Sequence, residues 1–103
     1  MKFDGIYTPV ITPHDAEGRI DRDAFAAQID YLIGAGVQGL INGGSTGEYY
    51  AQSMEERIEM AGLAKEVIGG RVPLIVGTVA IRQEDSITMA ECAARIGADA
   101  LLI

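Results

Sequence analysis

The sequence predicts a parallel α/β fold of the order β-α-β-α-β-α-β, and three observations predict it. Short runs rich in β-branched and apolar residues alternate with segments whose apolar residues recur at helical spacing. The units repeat at roughly 30 residues, long enough for successive strands to run parallel and be joined by right-handed crossovers. The junctions also echo one another: "IGAGVQGLI" from Ile33 and "IGADALLI" from Ile96 each pass from a helix end through glycine and alanine into a strand. Any two helix-to-strand junctions share part of that pattern, but a repeated βα unit suits the N-terminal half of a (β/α)8 TIM barrel. A flavodoxin-like open sheet is the alternative, because its early units read the same way.

The first strand lies in "GIYTPVITP", where Pro9 and Pro13 keep it short before a turn over Asp15 to Gly18. Asp21 is the N-cap of a first helix. Phe25, Ile29, Leu32 and Ile33 form its apolar stripe, which ends at Gly34 and Gly36. "VQGLIN" is the second strand. Ser53 and Glu56 make an S-x-x-E capping box for a second helix, lined by Ile58, Ala61, Ala64 and Ile68 and stopped by Gly69-Gly70. Pro73 opens "LIVGTV", apolar on both faces and so expected at the centre of a parallel sheet with cover on each side. "EDSITMAECAARIGA" carries a third helix through Ile87, Ala90 and Ala94, without a clear N-cap, and "DALLI" is the fourth strand.

Leu101, Leu102 and Ile103 on that last strand would form an exposed apolar edge unless another strand pairs with it. Residues 1–103 are therefore expected to be a single partial domain, about the first half of a barrel. Either more chain or another copy of itself would complete it. The 103 residues are 49% hydrophobic with a net charge of -7, a balance that argues against nucleic acid or an anionic membrane surface as partner. The single cysteine, Cys92, leaves no internal disulfide and fits a reducing compartment, so cytoplasm is the expected location. An aspartate interrupts "MKFDGIYTPV" where a secretory signal needs an apolar core, and no apolar run approaches the roughly 20 residues of a membrane span.

In so acidic a chain an anionic ligand must be held by local donors, and "NGGSTGEYY", Asn42 to Tyr50, offers them. As Gly43-x-Ser45-x-Gly47 the loop fits the elbow that presents a nucleophilic serine, but the histidine base of that arrangement follows the serine. The only histidine here, His14, precedes it. A P-loop needs lysine after its last glycine, where Glu48 stands and would repel phosphate. His14 beside Asp15 has no second histidine or cysteine at ligand spacing; it reads as a solvated turn residue, and no metal or cofactor is expected. A small anion is the better fit. Successive N–H groups of a glycine-rich turn form a concave nest, and the Ser45 and Thr46 hydroxyls add donors at the C-terminal end of a strand. Gly43, Gly44 and Gly47 let the backbone approach a ligand closely. A purely structural turn would use the same glycines without needing the Ser-Thr pair.

"GGSTGE" after an apolar strand, "TPVITP" before it, and "S-M-E-E-R" and "PLIVGT" after it together resemble the dihydrodipicolinate synthase and N-acetylneuraminate lyase family, across nearly the whole chain. The resemblance implies a class I, pyruvate-dependent aldolase on a (β/α)8 barrel, without cofactor or metal, and a homotetramer for the intact enzyme. By motif match it assigns pyruvate's carboxylate to Ser45 and Thr46, with one hydroxyl, given to Thr46, relaying protons to a catalytic tyrosine. Gly44 and Gly47 shape the loop. Glu48 is expected to tie down loop N–H groups with its carboxylate, and Thr8 and Thr78, at strand ends, to line the same pocket. Tyr49 and Tyr50 shape the substrate side, or else pack against the core or a neighbouring subunit. His14 replaces the phenylalanine of many relatives.

Imine chemistry needs a lysine that is neutral often enough to attack a ketone, hence one buried so that its pKa falls well below about 10.4. The chain offers Lys2, at the terminus, and Lys65, beside Glu66 on the second helix. The resemblance places the imine lysine and the proton-shuttling tyrosine on later strands. It leaves the aldehyde open among aspartate semialdehyde, N-acetylmannosamine and sugar-acid aldehydes, and the direction, synthesis or cleavage, open as well. These residues alone are expected to lack aldolase activity. A non-catalytic half-barrel that self-assembles, and a serine hydrolase using Ser45, are the alternatives.

Overall fold

A computed structural model describes residues 3–103. Along the described residues come β1 (Tyr7–Pro9), α1 (Arg22–Gly34), β2 (Gly39–Asn42), α2 (Met54–Ile68), β3 (Leu74–Gly77), α3 (Gln83–Ile96) and β4 (Ala100–Leu102), with a 3-10 turn at Tyr49–Ala51 before α2. The strands form one parallel sheet in the order β1-β2-β3-β4. That order decides between the two architectures. A flavodoxin-like sheet would place its first strand between the second and third, whereas sequential neighbours are the first units of a barrel.

The helix ends follow local chemistry. Asp21 caps α1 by accepting from the Ala24 N–H at 2.9 Å. Ser53 and Glu56 complete the capping box on α2, and Gly69 ends that helix at φ 57°. Arg82, at the start of α3, makes no side-chain cap. The turn after β1 closes through Gly18 N–H on Asp15 O, while the Asp15 carboxylate accepts from the Glu17 and Arg19 N–H groups. His14 is exposed there, bridged to Ile20.

The core lies between the sheet and the helix layer. Leu40, Leu74 and Val76 share the sheet face that meets Phe25 and Ile29 of α1 and Met60, Ala61, Ala64 and Ile68 of α2 in one buried cluster. Burying each large side chain contributes about 1.5–3 kcal/mol. Two expectations need correction. On α3 the inward stripe is Met89, Cys92 and Ala93, with Ile96 packed beside them, while Ile87 and Ala94 are exposed. Both stripes have helical spacing, but Met89, Cys92, Ala93 and Ile96 fill i, i+3, i+4 and i+7 and bring more volume to β3 and β4. The second concerns β3. It is central, but the helices cover one face only, and Ile41 and Ile75 on the other face are half-buried.

Candidate functional site

The loop after β2 leaves the sheet at Gly43, whose φ of 82° is open to glycine at little cost. A Cβ added at Gly44 would meet Ile41 and Leu102 at ordinary van der Waals distance, which places Gly44 over the helix-free face. Two bonds close the turn: Gly47 N–H to Gly44 O at 3.1 Å and Glu48 N–H to Ser45 O at 3.0 Å. Those two N–H groups are thereby used, so the nest is smaller than a run of free amides. The N–H groups of Gly44, Ser45 and Thr46 and the hydroxyls of Ser45 and Thr46 have no hydrogen-bond partner among the described residues. Ser45 and Thr46 are also exposed, leaving five donors on three consecutive residues open to a ligand at the C-terminal end of a barrel strand.

The turn is held from behind. The buried Thr12 donates from Oγ1 to Gly47 O at 2.7 Å, and Gln52 Nε2 donates both to Thr12 Oγ1 at 2.8 Å and to Gly47 O at 3.1 Å. This triangle does the work expected of Glu48. Glu48 is exposed at φ 60°, and its carboxylate bonds to no loop N–H, because the left-handed backbone turns the side chain outward. Neither Thr12 nor Gln52 was legible as a site residue. The signal for Thr12 is its place inside "TPVITP"; Gln52 offers only its position before a helix cap.

The structure brings Gly44, Ser45, Thr46 and Gly47 into one turn. Thr78 follows β3 on the neighbouring strand end, buried, with its N–H and hydroxyl both directed to Leu102 O, at 2.9 and 3.3 Å. Thr8 pairs with Leu40, so it faces the helix layer while Gly44 lies over the opposite face. Tyr49 packs on Arg57, and Tyr50 is exposed beside it, the two rings 5.6 Å apart edge to face. His14 makes no hydrogen bond to Ser45, so a nucleophile–base pair is absent among the described residues. Lys65 donates to Gly97 O at 3.0 Å, ahead of β4 and at the opposite end of the sheet from Ser45. Lys2 lies outside the described residues.

Arg57 on α2 is 4% exposed, a buried cation in phase with the Ala61, Ala64 and Ile68 stripe. Burial lowers its pKa, an effect offset in part by Tyr49 and Asp85. It borders a cleft of about 370 Å³ that Tyr49, Tyr50, Met54, Ile81 and Asp85 also line, next to the exit of the loop but without Ser45 or Thr46. Among the described residues no group of three or more His, Cys, Asp or Glu side chains is placed to hold a metal ion, and no helix is long and apolar enough to cross a membrane.

The model of the dihydrodipicolinate synthetase family matches residues 2–103. The chain belongs to that family. It is 36% identical over 103 residues to 4-hydroxy-tetrahydrodipicolinate synthase of Bacillus subtilis (strain 168), covering 100% of this chain and 36% of the relative. It is 37% identical to N-acetylneuraminate lyase of Rhizobium meliloti (strain 1021), covering 98% of this chain and 34% of that protein. Among solved structures, YagE of Escherichia coli K12 in complex with pyruvate superposes with a TM-score of 0.91 at 39% identity, over 96% of this chain and 33% of YagE. The chain thus spans about a third of the length of the relatives it matches. Its four strands and three helices are the N-terminal half-barrel of the family's TIM fold, and those relatives are synthases and lyases.

Proposed function

We propose that these residues supply the carboxylate-binding loop of a class I aldolase, which condenses or cleaves pyruvate with an aldehyde through a lysine imine. The observation that carries this reading is the exposed Gly44 to Gly47 turn. It presents the Ser45 and Thr46 hydroxyls and three backbone N–H groups, none with a partner among the described residues, in a family with a member solved in complex with pyruvate. Ser45 and Thr46 take the carboxylate, which fixes the adjacent ketone for attack, and Thr46 Oγ1 relays protons. Neither Lys65 nor Lys2 serves as the amine; the imine lysine, the tyrosine and the choice of aldehyde belong to later strands of the barrel. The working enzyme is a cytoplasmic homo-oligomer, a tetramer by family resemblance, and these residues alone do not turn over substrate.

Borohydride trapping tests this. A protein that continues past Ile103 is expected to gain a reduced pyruvate adduct on a later lysine, read by intact mass and peptide mapping. Losing a hydrogen bond to a charged group costs about 1.5–3 kcal/mol, so Ser45→Ala or Thr46→Val should each weaken pyruvate affinity roughly tenfold or more. An adduct on Lys65, or undiminished trapping at low pyruvate in the Ser45→Ala/Thr46→Val pair, would refute the proposal.

A further inference from the structure

Arg57 is costly where it stands. A buried guanidinium needs partners for its donors, and Nε has none among the described residues. A methionine would fill similar space without that penalty, so a contribution to stability does not account for the residue. Its two contacts do point to a role. Nη2 donates to Gly77 O at 3.1 Å, and the guanidinium carbon lies 4.9 Å from the centre of the Tyr49 ring.

Both contacts lead to the Ser45-Thr46 loop. Gly43, where the loop begins, rests on Gly77: a Cβ at Gly43 would meet the Gly77 carbonyl oxygen at 3.4 Å, and one at Gly77 would lie 2.3 Å from Gly43 O. The carbonyl that Arg57 holds is therefore the surface on which the loop entry is seated. Tyr49 is the first residue after Glu48, where the loop leaves. Resting on the carboxylate reading above, we propose that Arg57 is a positioning residue for that site, one guanidinium fixing the entry through Gly77 and the exit through Tyr49. Lysine cannot fill both roles, because a single ammonium offers no planar face to the ring while donating sideways to the carbonyl.

The test is amide hydrogen exchange at Gly47 and Glu48, whose N–H groups close the turn, combined with pyruvate titration in the full chain. Arg57→Met is expected to speed exchange at these two amides at least fivefold beyond any change at the α2 amides, and to weaken the pyruvate-induced shift of the loop resonances severalfold. Arg57→Lys should recover part of each effect. Tyr49→Phe keeps the ring face and should leave the exchange as it is, whereas Tyr49→Leu should free Glu48 more than Gly47. The core variant Ile29→Val sets the effect of lost stability alone. Exchange at Gly47 and Glu48 that rises only in proportion to global stability, as in Ile29→Val, would overturn the proposal. If Arg57→Met does not fold, Arg57→Lys and Tyr49→Leu carry the same comparison. A loop that loosens in these variants while the parent chain ignores pyruvate would support the positioning role and refute the carboxylate reading.

Discussion

Replacing Thr12 by valine removes the Oγ1 that donates to Gly47 O at 2.7 Å and accepts from Gln52 Nε2 at 2.8 Å. The shape is kept, and Gly47 O still receives Gln52 Nε2 at 3.1 Å, so no buried acceptor is orphaned and the loss is that of two ordinary hydrogen bonds, about 2 kcal/mol. Gln52→Leu is the mirror case, losing both Gln52 bonds with Thr12 still donating, and should also cost about 2 kcal/mol. Only the double variant leaves the Gly47 carbonyl of a buried residue without a donor. The Gln52–Thr12 bond is lost in either single variant, so the double variant loses three bonds, about 3 kcal/mol, and adds a desolvation penalty of about 1–3 kcal/mol, for a total of roughly 4–6 kcal/mol. Against a stability of about 5–15 kcal/mol such a loss is large. Urea unfolding followed by circular dichroism, with unchanged m values, reads all four corners of the cycle. A double variant that falls about 1 kcal/mol short of the sum of the singles would refute the reasoning, because only the shared bond would then separate them and the carbonyl would be satisfied without either side chain.

Gly77→Ala places a methyl 2.3 Å from Gly43 O and 2.7 Å from its carbon, so backbone must shift. The expected cost is about 1–3 kcal/mol, or at least about 4 °C in the midpoint of a thermal melt. A melt unchanged from the parent would show that the strand end yields freely. At the other end of the sheet, Arg71 pairs with the exposed Asp30 and also donates to Val67 O and Ile68 O near the end of α2. Asp30→Asn should cost less than about 0.5 kcal/mol and Arg71→Met about 1–2 kcal/mol by chemical denaturation; equal losses would contradict the capping role.

Much of the fold was legible because it rests on local chemistry. The Asp21 cap, the Ser53/Glu56 box and the stop at Gly69 are each settled within four or five residues, and all three stand where the sequence puts them. The face of α3 was not, since Ile87-Ala90-Ala94 and Met89-Cys92-Ala93-Ile96 both obey helical spacing and only the sheet beneath selects one. Of the site, the Ser45-Thr46 turn was visible as a cluster of donors and small residues. Thr12, 35 residues from Gly47, and Arg57, 20 residues from Gly77, were not, because their roles exist only as contacts between distant segments.

The sequence by itself determined the alternation of strands and helices, the caps, the family and the loop that offers its donors to an anion. The tertiary structure decided the sequential strand order, the sheet face that Gly44 overlies and Thr8 does not, and the anchoring of the loop by Thr12, Gln52 and Arg57 in place of Glu48. The physical reason is range. Caps and turns are fixed by hydrogen bonds between near neighbours, whereas strand register and a buried cation's partners are fixed by which surfaces the whole chain brings together.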